Sequence, residues 1–327
     1  MQFRTTFNIR PFETKITHKS KLFSMGSCFS TMIGEKLLER KFNVLNNPFG
    51  TIFNPNSLFR LLQQALSKSK LDPHLLLEHQ QRFYHYGIHS SISAKQEVQL
   101  WERIEASQTL AKEYLTHASH IFITFGTAHI YELKASGKQV TNCHKQPQSL
   151  FNKRLLGLEE MKGHFGNFFA LQKNINPKAP IILTVSPVRH TKDGIPENQV
   201  SKSLLRVLAH QLEEEFEGVS YFPSYELMMD DLRDYRFYKG DMVHPTPQAE
   251  DYIWGFFKEC YLDKSTVENV QIIEGIMNSL GHRPFHPESE VYQQFLQNLL
   301  QKMERMSPKF DFSKEVEEVK SKLETDF

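Results

Sequence analysis

The stretch Lys21-Leu22-Phe23-Ser24-Met25-Gly26-Ser27-Cys28-Phe29-Ser30 sets the architecture of this chain. Its first five residues form a short, largely apolar run that is typical of a buried strand. Apolar residues then recur at helical spacing over 29–37, which predicts a helix that ends near Arg40. A strand, a tight turn and a helix therefore bracket Ser27, and this is the first unit of an α/β fold.

The same order of a short apolar segment followed by a helical pattern repeats along the chain. The segments at 120–125 and 180–185 are near-continuous apolar runs, which belong in a parallel sheet that is covered on both faces. Shorter segments at 42–45 and 219–222 add two more strands. Helices are predicted over 56–66, 97–115, 165–174, 200–217 and 249–262. The repeated order predicts an open, doubly wound α/β sheet with right-handed crossovers.

Two segments interrupt this order. The aromatic-rich segment 82–89 predicts an antiparallel insertion or one arm of a hairpin. The segments 130–133 and 139–142 flank Ser136-Gly137, a pair typical of turns, and together they predict a small hairpin.

The composition shifts near residue 262, where helical patterns replace the alternation of strands and helices. Three amphipathic stripes lie at 272–280, 295–300 and 316–323, and each predicts a helix with one apolar face. We therefore divide the chain into an α/β domain, residues 1–262, and a helical C-terminal extension, residues 263–327. The extension could pack on the domain, cover its site, or pair with a second copy to form a homo-oligomer.

Charge and composition exclude several classes of function. Among 327 residues, 39 Lys and Arg balance 38 Asp and Glu, so no strong field favours nucleic acid or an anionic membrane, and a small neutral substrate fits better. The start of the chain lacks the apolar stretch of a signal peptide, and no run approaches the roughly 18 apolar residues that span a bilayer. We expect a cytoplasmic protein without membrane contact.

Three residues carry the chemistry that the sequence suggests. A serine at a strand-to-helix turn is a weak nucleophile until a base removes its proton, so Ser27 needs an imidazole within hydrogen-bond reach. In Asp241-Met242-Val243-His244-Pro245, the carboxylate can fold back to accept from Nδ1 of His244, which leaves Nε2 for the serine. The N-terminus of the helix after Ser27 adds backbone N–H groups that favour a developing oxyanion.

Simpler interpretations compete with this one. A Gly-Ser pair before a helix is most often only an N-cap, and Asp-x-x-His is common on protein surfaces. Cys28 is expected to be a buried, inert thiol. The three cysteines lack C-x-x-C spacing, so neither a disulfide scaffold nor a structural zinc site is expected. A metal site built from His129, His144, His190 and His244 lacks a recognised ligand spacing, so no metal and no cofactor are predicted.

Several blocks of the sequence resemble one known family. Met25-Gly26-Ser27-Cys28-Phe29-Ser30 is similar to the signature that names the GSCFA domain family, although Ser30 stands where Ala is common. The other matching blocks are Asn47-Pro48-Phe49-Gly50-Thr51, Phe125-Gly126-Thr127-Ala128, Asn142-Cys143-His144-Lys145, Ser186-Pro187-Val188-Arg189-His190 and Asp234-Tyr235-Arg236-Phe237-Tyr238, which runs into Asp241 to His244. Together they cover about residues 20 to 260.

The resemblance carries expectations about fold and activity. The GSCFA family is similar to the SGNH, or GDSL-like, hydrolases, which implies a flavodoxin-like three-layer sandwich with a central parallel sheet. It also implies a serine esterase that acts on a small or carbohydrate ester, with Ser27 as nucleophile, Asp241 as acid and His244 as base. An O-acyltransferase with the same triad and a catalytically silent ligand-binding module are the alternatives.

The resemblance also names oxyanion and pocket residues. The backbone N–H groups of Ser27 and Gly50 correspond to two of the three oxyanion donors. The third donor is an Asn in a Gly-x-Asn-Asp block, but this chain reads Gly126-Thr127-Ala128-His129. We therefore expect Thr127, the local backbone or Asn142 to substitute for it. The pocket is also expected to be lined by His144, Arg189 and His190, where Arg189 either binds an anionic group of the substrate or has a structural role in an ion pair or a capped loop.

Overall fold

The structure, a computed structural model, describes residues 4–324. Within this range the strands are β1 (Lys21–Gly26), β2 (Asn43–Asn46), β3 (Leu76–His79), β4 (Arg82–His85), β5 (His120–Phe125), β6 (His129–Leu133), β7 (Gln139–Val140), β8 (Phe151–Leu155), β9 (Ile181–Val185) and β10 (Val219–Tyr221). The helices are α1 (Cys28–Glu39), α2 (Pro55–Ser67), α3 (Glu97–His117), α4 (Leu158–Ile175), α5 (Ile195–Glu215), α6 (Ser224–Glu226), α7 (Pro247–Tyr261), α8 (Lys264–Leu280), α9 (Glu290–Met306) and α10 (Ser313–Glu324).

The central sheet contains five strands in the order β10-β9-β5-β1-β2. All four neighbouring pairs are parallel. Numbered along the chain within this sheet, the strand order is 2-1-3-4-5, which is the flavodoxin-like arrangement. The predicted fold class is therefore confirmed: an α/β sandwich with a parallel central sheet and a helical C-terminal region.

Helices cover both faces of the sheet because successive strand residues point to opposite sides. In β1, Phe23 and Met25 join a core cluster that includes residues of α2, α3, α4 and α5. Leu22 of the same strand joins the other cluster, which includes residues of α1 and α7. The strands β1, β5 and β9 are buried on both faces, as the near-continuous apolar runs at 120–125 and 180–185 predicted for the last two.

Two small antiparallel sheets are inserted between the main units. β3 and β4 form the hairpin arm expected at 82–89. β6 pairs with β7, as predicted, and also with β8 on its other side. The sequence did not predict β8, because Phe151–Leu155 contains one buried residue, Phe151, among mostly polar neighbours. An edge strand with so few apolar residues has a weak periodic signal.

The last three helices share an apolar cluster of their own, built on residues such as Ile273, Leu299 and Val319. Polar contacts connect this cluster to the sheet domain. Arg40 Nε, at the end of α1, lies 2.7 Å from Glu274 Oε1, and Lys41 lies 2.6 Å from Glu315. No helix within residues 4–324 is both long enough and apolar enough to cross a membrane.

Candidate active site

Ser27 lies at the carboxyl end of β1, where the chain turns into α1. Gly26 has φ +153°, and a Cβ atom there would lie 2.3 Å from the carbonyl oxygen of Thr124 on the neighbouring strand. Only glycine allows the two strands to approach this closely. The Gly26 N–H donates to Asn47 Oδ1 at 2.8 Å, and the Gly26 carbonyl accepts from Ile52 N–H at 2.9 Å. The turn that carries Ser27 is therefore fixed on several sides.

The Ser27 hydroxyl has no hydrogen-bond partner among the described residues, although the residue is only 1% exposed. Ser27 occupies the N-cap position of α1, yet its side chain makes no capping hydrogen bond. The first N–H groups of a helix have no partner within the helix and give its N-terminus a partial positive charge. A buried hydroxyl without a partner is costly, so a purely structural N-cap role does not explain Ser27.

Asp241 and His244 form the pair that their spacing predicted. Asp241 Oδ2 lies 2.7 Å from His244 Nδ1, and Oδ1 accepts from the backbone N–H groups of Val243 and His244, both at 2.9 Å. These contacts, led by the His244 backbone N–H, hold the pKa of Asp241 well below its usual value. The side chains are 50% and 42% exposed. An ionised carboxylate thus orients the imidazole at the protein surface.

The loop that carries this pair is held from outside by Arg189. The guanidinium donates from Nη2 to the carbonyl oxygen of Met242 at 2.7 Å and lies over the ring of Tyr238, 5.1 Å from its centre. Arg189 therefore supports this loop through a hydrogen bond, and within residues 4–324 it forms no ion pair; its role toward a substrate stays a prediction. His244 and Ser27 are not joined by a hydrogen bond, since Ser27 Oγ is unpartnered.

The expected oxyanion donors are engaged elsewhere. Ser27 N–H donates to Thr124 O at 3.2 Å, and Gly50 N–H donates to Asn47 O at 2.8 Å. The N–H groups of Gly126 and Thr127 both donate to the carbonyl oxygen of one residue, Phe53, at 2.7 and 3.1 Å. Gly50 N–H closes a local turn, whereas the other three amides join segments around Ser27 that are far apart in sequence. Donors that remain by helix geometry are the first-turn N–H groups of α1, from Cys28 onward.

Three other residues predicted for the site form hydrogen bonds with groups other than the Ser27 hydroxyl. The Thr127 hydroxyl contacts Ser201 Oγ on α5 at 3.1 Å. Asn142 accepts from the backbone N–H of His144 through Oδ1 at 2.8 Å, so it caps its own turn. His144 is buried, and its Nε2 donates to the carbonyl of His85 at 2.9 Å. Burial lowers the pKa of His144 to about 4, which fits a neutral ring that supports the insertion.

His190 is connected to the surroundings of Ser27 through one intermediate ring, that of Phe53. Its imidazole packs edge-to-face on Phe53, with ring centres 5.3 Å apart. Phe53 and Ser27 both border Gly126, since a Cβ atom there would lie 3.0 Å from a carbon of each side chain. Burial, with a smaller contribution from the nearby charge of Lys202, lowers the pKa of His190 to about 4. His190 is therefore a neutral, half-buried ring beside the candidate site.

Two residues that the sequence interpretation missed support the site. Asn47 accepts from Gly26 N–H and donates to Thr31 Oγ1 at 2.9 Å. Lys202 is 1% exposed, and its Nζ donates to the carbonyls of Gly126 and Ser186, both at 2.7 Å. The signal for Lys202 was present in the sequence: it falls on the stripe of α5 that also carries Leu205, and a lysine on an apolar face is unusual.

The remaining titratable groups do not form a metal site in the described range. No cluster of three or more His, Cys, Asp or Glu side chains there could hold an ion. His129 lies 3.4 Å from Asp193 instead. Cys28 is only partly buried, whereas a buried thiol was predicted. The burial that remains raises the pKa of the Cys28 thiol, so the thiol form is favoured next to Ser27.

Comparisons with known proteins agree with the sequence blocks. A family model described as the GSCFA family matches residues 21–257. A second model, described as the GSCFA domain protein, C-terminal domain, matches residues 273–325. No curated protein matches the chain.

Proposed function

The chain belongs to the GSCFA family, and on this basis we propose that it is a serine esterase that cleaves a small or glycan-borne ester. Ser27 is the nucleophile, His244 the base and Asp241 the residue that orients it. We also propose that the family is similar to the SGNH, or GDSL-like, hydrolases.

One observation carries the proposal: the buried, unpartnered hydroxyl of Ser27 at the N-terminus of α1. A structural serine at this position would cap the helix through its side chain. Here the hydroxyl is left free where the field of the helix favours negative charge. The Asp241–His244 pair, at 2.7 Å, supplies the second half of the arrangement.

The proposed reaction follows acyl transfer chemistry. Ser27 Oγ attacks the ester carbonyl as its proton passes to His244 Nε2, and first-turn N–H groups of α1 bind the oxyanion. The alcohol leaves with the proton from His244, and an acyl-serine remains. Water then attacks the acyl carbon and gives a proton to His244, which returns it to Ser27 Oγ as the acid departs. Both steps require a hydrogen bond between His244 and Ser27 that is not formed here; catalytic hydrogen bonds often tighten only when substrate binds.

Two other functions remain candidates. An alcohol that replaces water in the second step makes the protein an O-acyltransferase. A silent binding module is favoured by a specific observation: the N–H groups of Gly50, Gly126 and Thr127 already have backbone acceptors. In that case the protein would bind a ligand near Ser27 without turnover.

Ester turnover tests the three functions together. We expect wild-type protein to hydrolyse p-nitrophenyl acetate or an O-acetylated sugar, and Ser27→Ala protein to lose that turnover. Added acceptor alcohols identify a transferase if a new ester is formed in preference to free acid. Equal background hydrolysis by both proteins over a panel of acyl lengths would support the binding module.

A further inference from the structure

Lys202 is a buried lysine without a carboxylate partner. It lies on α5, and its Nζ donates to the carbonyl oxygens of Gly126 and Ser186 at 2.7 Å each. No salt bridge to Lys202 is present among the described residues, and the side chain is fully enclosed. A lysine in such a position is retained at a cost in stability, so its two hydrogen bonds need an explanation.

The two carbonyls belong to the two halves of the candidate active site. Gly126 follows β5 and borders Ser27: a Cβ atom on Gly126 would lie 3.0 Å from the Ser27 Cβ. Ser186 follows β9 and begins the loop to Arg189, whose guanidinium holds the Met242 carbonyl in the turn of Asp241 and His244. One nitrogen thus connects the surroundings of the nucleophile with the support of the base.

We propose that Lys202 is the positioning residue of this site: it fixes the Gly126 carbonyl beside Ser27 and the Ser186 carbonyl at the base of the loop that supports His244. Its effect on acyl transfer rests on the esterase proposed above, whereas the positioning of the two segments does not. Lys202 acts through these carbonyls and does not touch the substrate.

The hydrogen-bonding capacity of lysine agrees with this role. Two titratable groups interact electrostatically with the Lys202 amine: Cys28 on α1 and His190 in the loop after β9. Neither group is a carboxylate. Burial lowers the pKa of Lys202 to about 7. A neutral amine has two N–H bonds, which match the two carbonyl acceptors. Near neutrality the interaction therefore does not require a buried charge.

Amide hydrogen exchange on Lys202→Met tests the proposal. The variant keeps the length of the side chain but removes both hydrogen bonds. We expect exchange to rise at least about tenfold at 126–128 and at 186–190, with little change in β1 and β5, because protection reports local opening. We also expect labelling of Ser27 by a fluorophosphonate to slow about tenfold. The matched control is Gln172→Met. Gln172 lies on α4, and its substitution removes another buried hydrogen bond, the one to Leu115 O.

The outcomes separate this proposal from the esterase. If wild-type Ser27 does not react with the fluorophosphonate, the esterase proposal fails and exchange alone decides the role of Lys202. Exchange within twofold of wild type at either segment of a folded Lys202→Met protein would overturn the positioning role, as would an equal rise in the Gln172→Met control. If Lys202→Met does not fold, Lys202→Gln replaces it: intermediate exchange at both segments is expected, and unchanged exchange contradicts the proposal.

Discussion

Ser27 is 1% exposed in a turn held by Asn47, Thr124 and Ile52, whereas Asp241 and His244 are about half exposed and hold each other. The first region depends on contacts between residues far apart in sequence. The second is a turn that four consecutive residues nearly define. The two halves therefore differ in how they are held: buried contacts fix the nucleophile, whereas the acid–base pair lies on an exposed turn that Arg189 supports.

Ser27→Ala should cause the largest loss of ester turnover, without a loss of stability. Removing a nucleophile lowers ester turnover by about 10⁴-fold or more in related chemistry. Stability is expected to stay the same or to rise by up to about 1 kcal/mol, because a buried hydroxyl without a partner is lost. Turnover and urea unfolding measure the two effects.

Ser289→Ala is the matched control for the stability effect. Ser289 is also an N-cap serine, but its Oγ accepts from Tyr292 N–H and donates to His286 O. Its loss is expected to cost about 1 kcal/mol. A Ser27→Ala protein destabilised as much as the Ser289→Ala protein would indicate that Ser27 is an ordinary cap.

His244→Ala is expected to lower turnover by about 10³-fold, since the base is lost. The melting temperature should hardly change, because the ring is 42% exposed. His190→Ala is the comparison variant, because His190 packs on Phe53 beside the serine. If His190→Ala loses more turnover than His244→Ala at equal folded fraction, His190 is the base and the exposed turn is not part of the triad.

The pH dependence of the free energy of unfolding tests the buried region around Ser27, where Lys202 lies. Lys202 has a pKa of about 7 in the folded protein and about 10.4 when unfolded. Between these values the unfolded state binds more protons, so stability rises with pH. Lys202 is expected to contribute an increase of about 2 kcal/mol in the free energy of unfolding between pH 7 and 9.

The variant Lys202→Met isolates this contribution. Its free energy of unfolding should increase less over the same pH interval, by about the amount assigned to Lys202. Urea titrations of both proteins at several pH values supply the comparison. Parallel pH profiles for the two proteins would show that Lys202 does not change its protonation on folding.

Arg189→Met should have the mildest effect, about a tenfold fall in turnover. It removes the hydrogen bond to Met242 O and should raise hydrogen exchange at 239–246. Because Arg189 supports a loop, neutral and anionic esters should lose the same factor. A loss confined to anionic esters would instead support the sequence-based prediction that Arg189 binds the substrate.

The two regions also differ in what their sequences revealed. The Asp241–His244 contact was predictable, because side chains three positions apart in a turn are close enough to form it. The parallel sheet was predictable because burial of its central strands on both faces leaves apolar runs such as His120–Phe125. β8 was not, since Phe151–Leu155 is a mostly polar edge strand. The hydrogen bond from Gly50 N–H to Asn47 O closes a local turn, whereas the hydrogen bond from Gly126 N–H to Phe53 O is a tertiary contact that no local pattern encodes.

Labelling with a serine-directed fluorophosphonate, followed by peptide mass mapping, is the sharpest test of the proposed triad. The reagent needs a nucleophilic serine that its own base activates. We expect one adduct, on Ser27, formed at least about 100-fold more slowly in His244→Ala protein. A folded wild-type protein without an adduct on Ser27, or with a rate that the His244 substitution leaves unchanged, would contradict the triad.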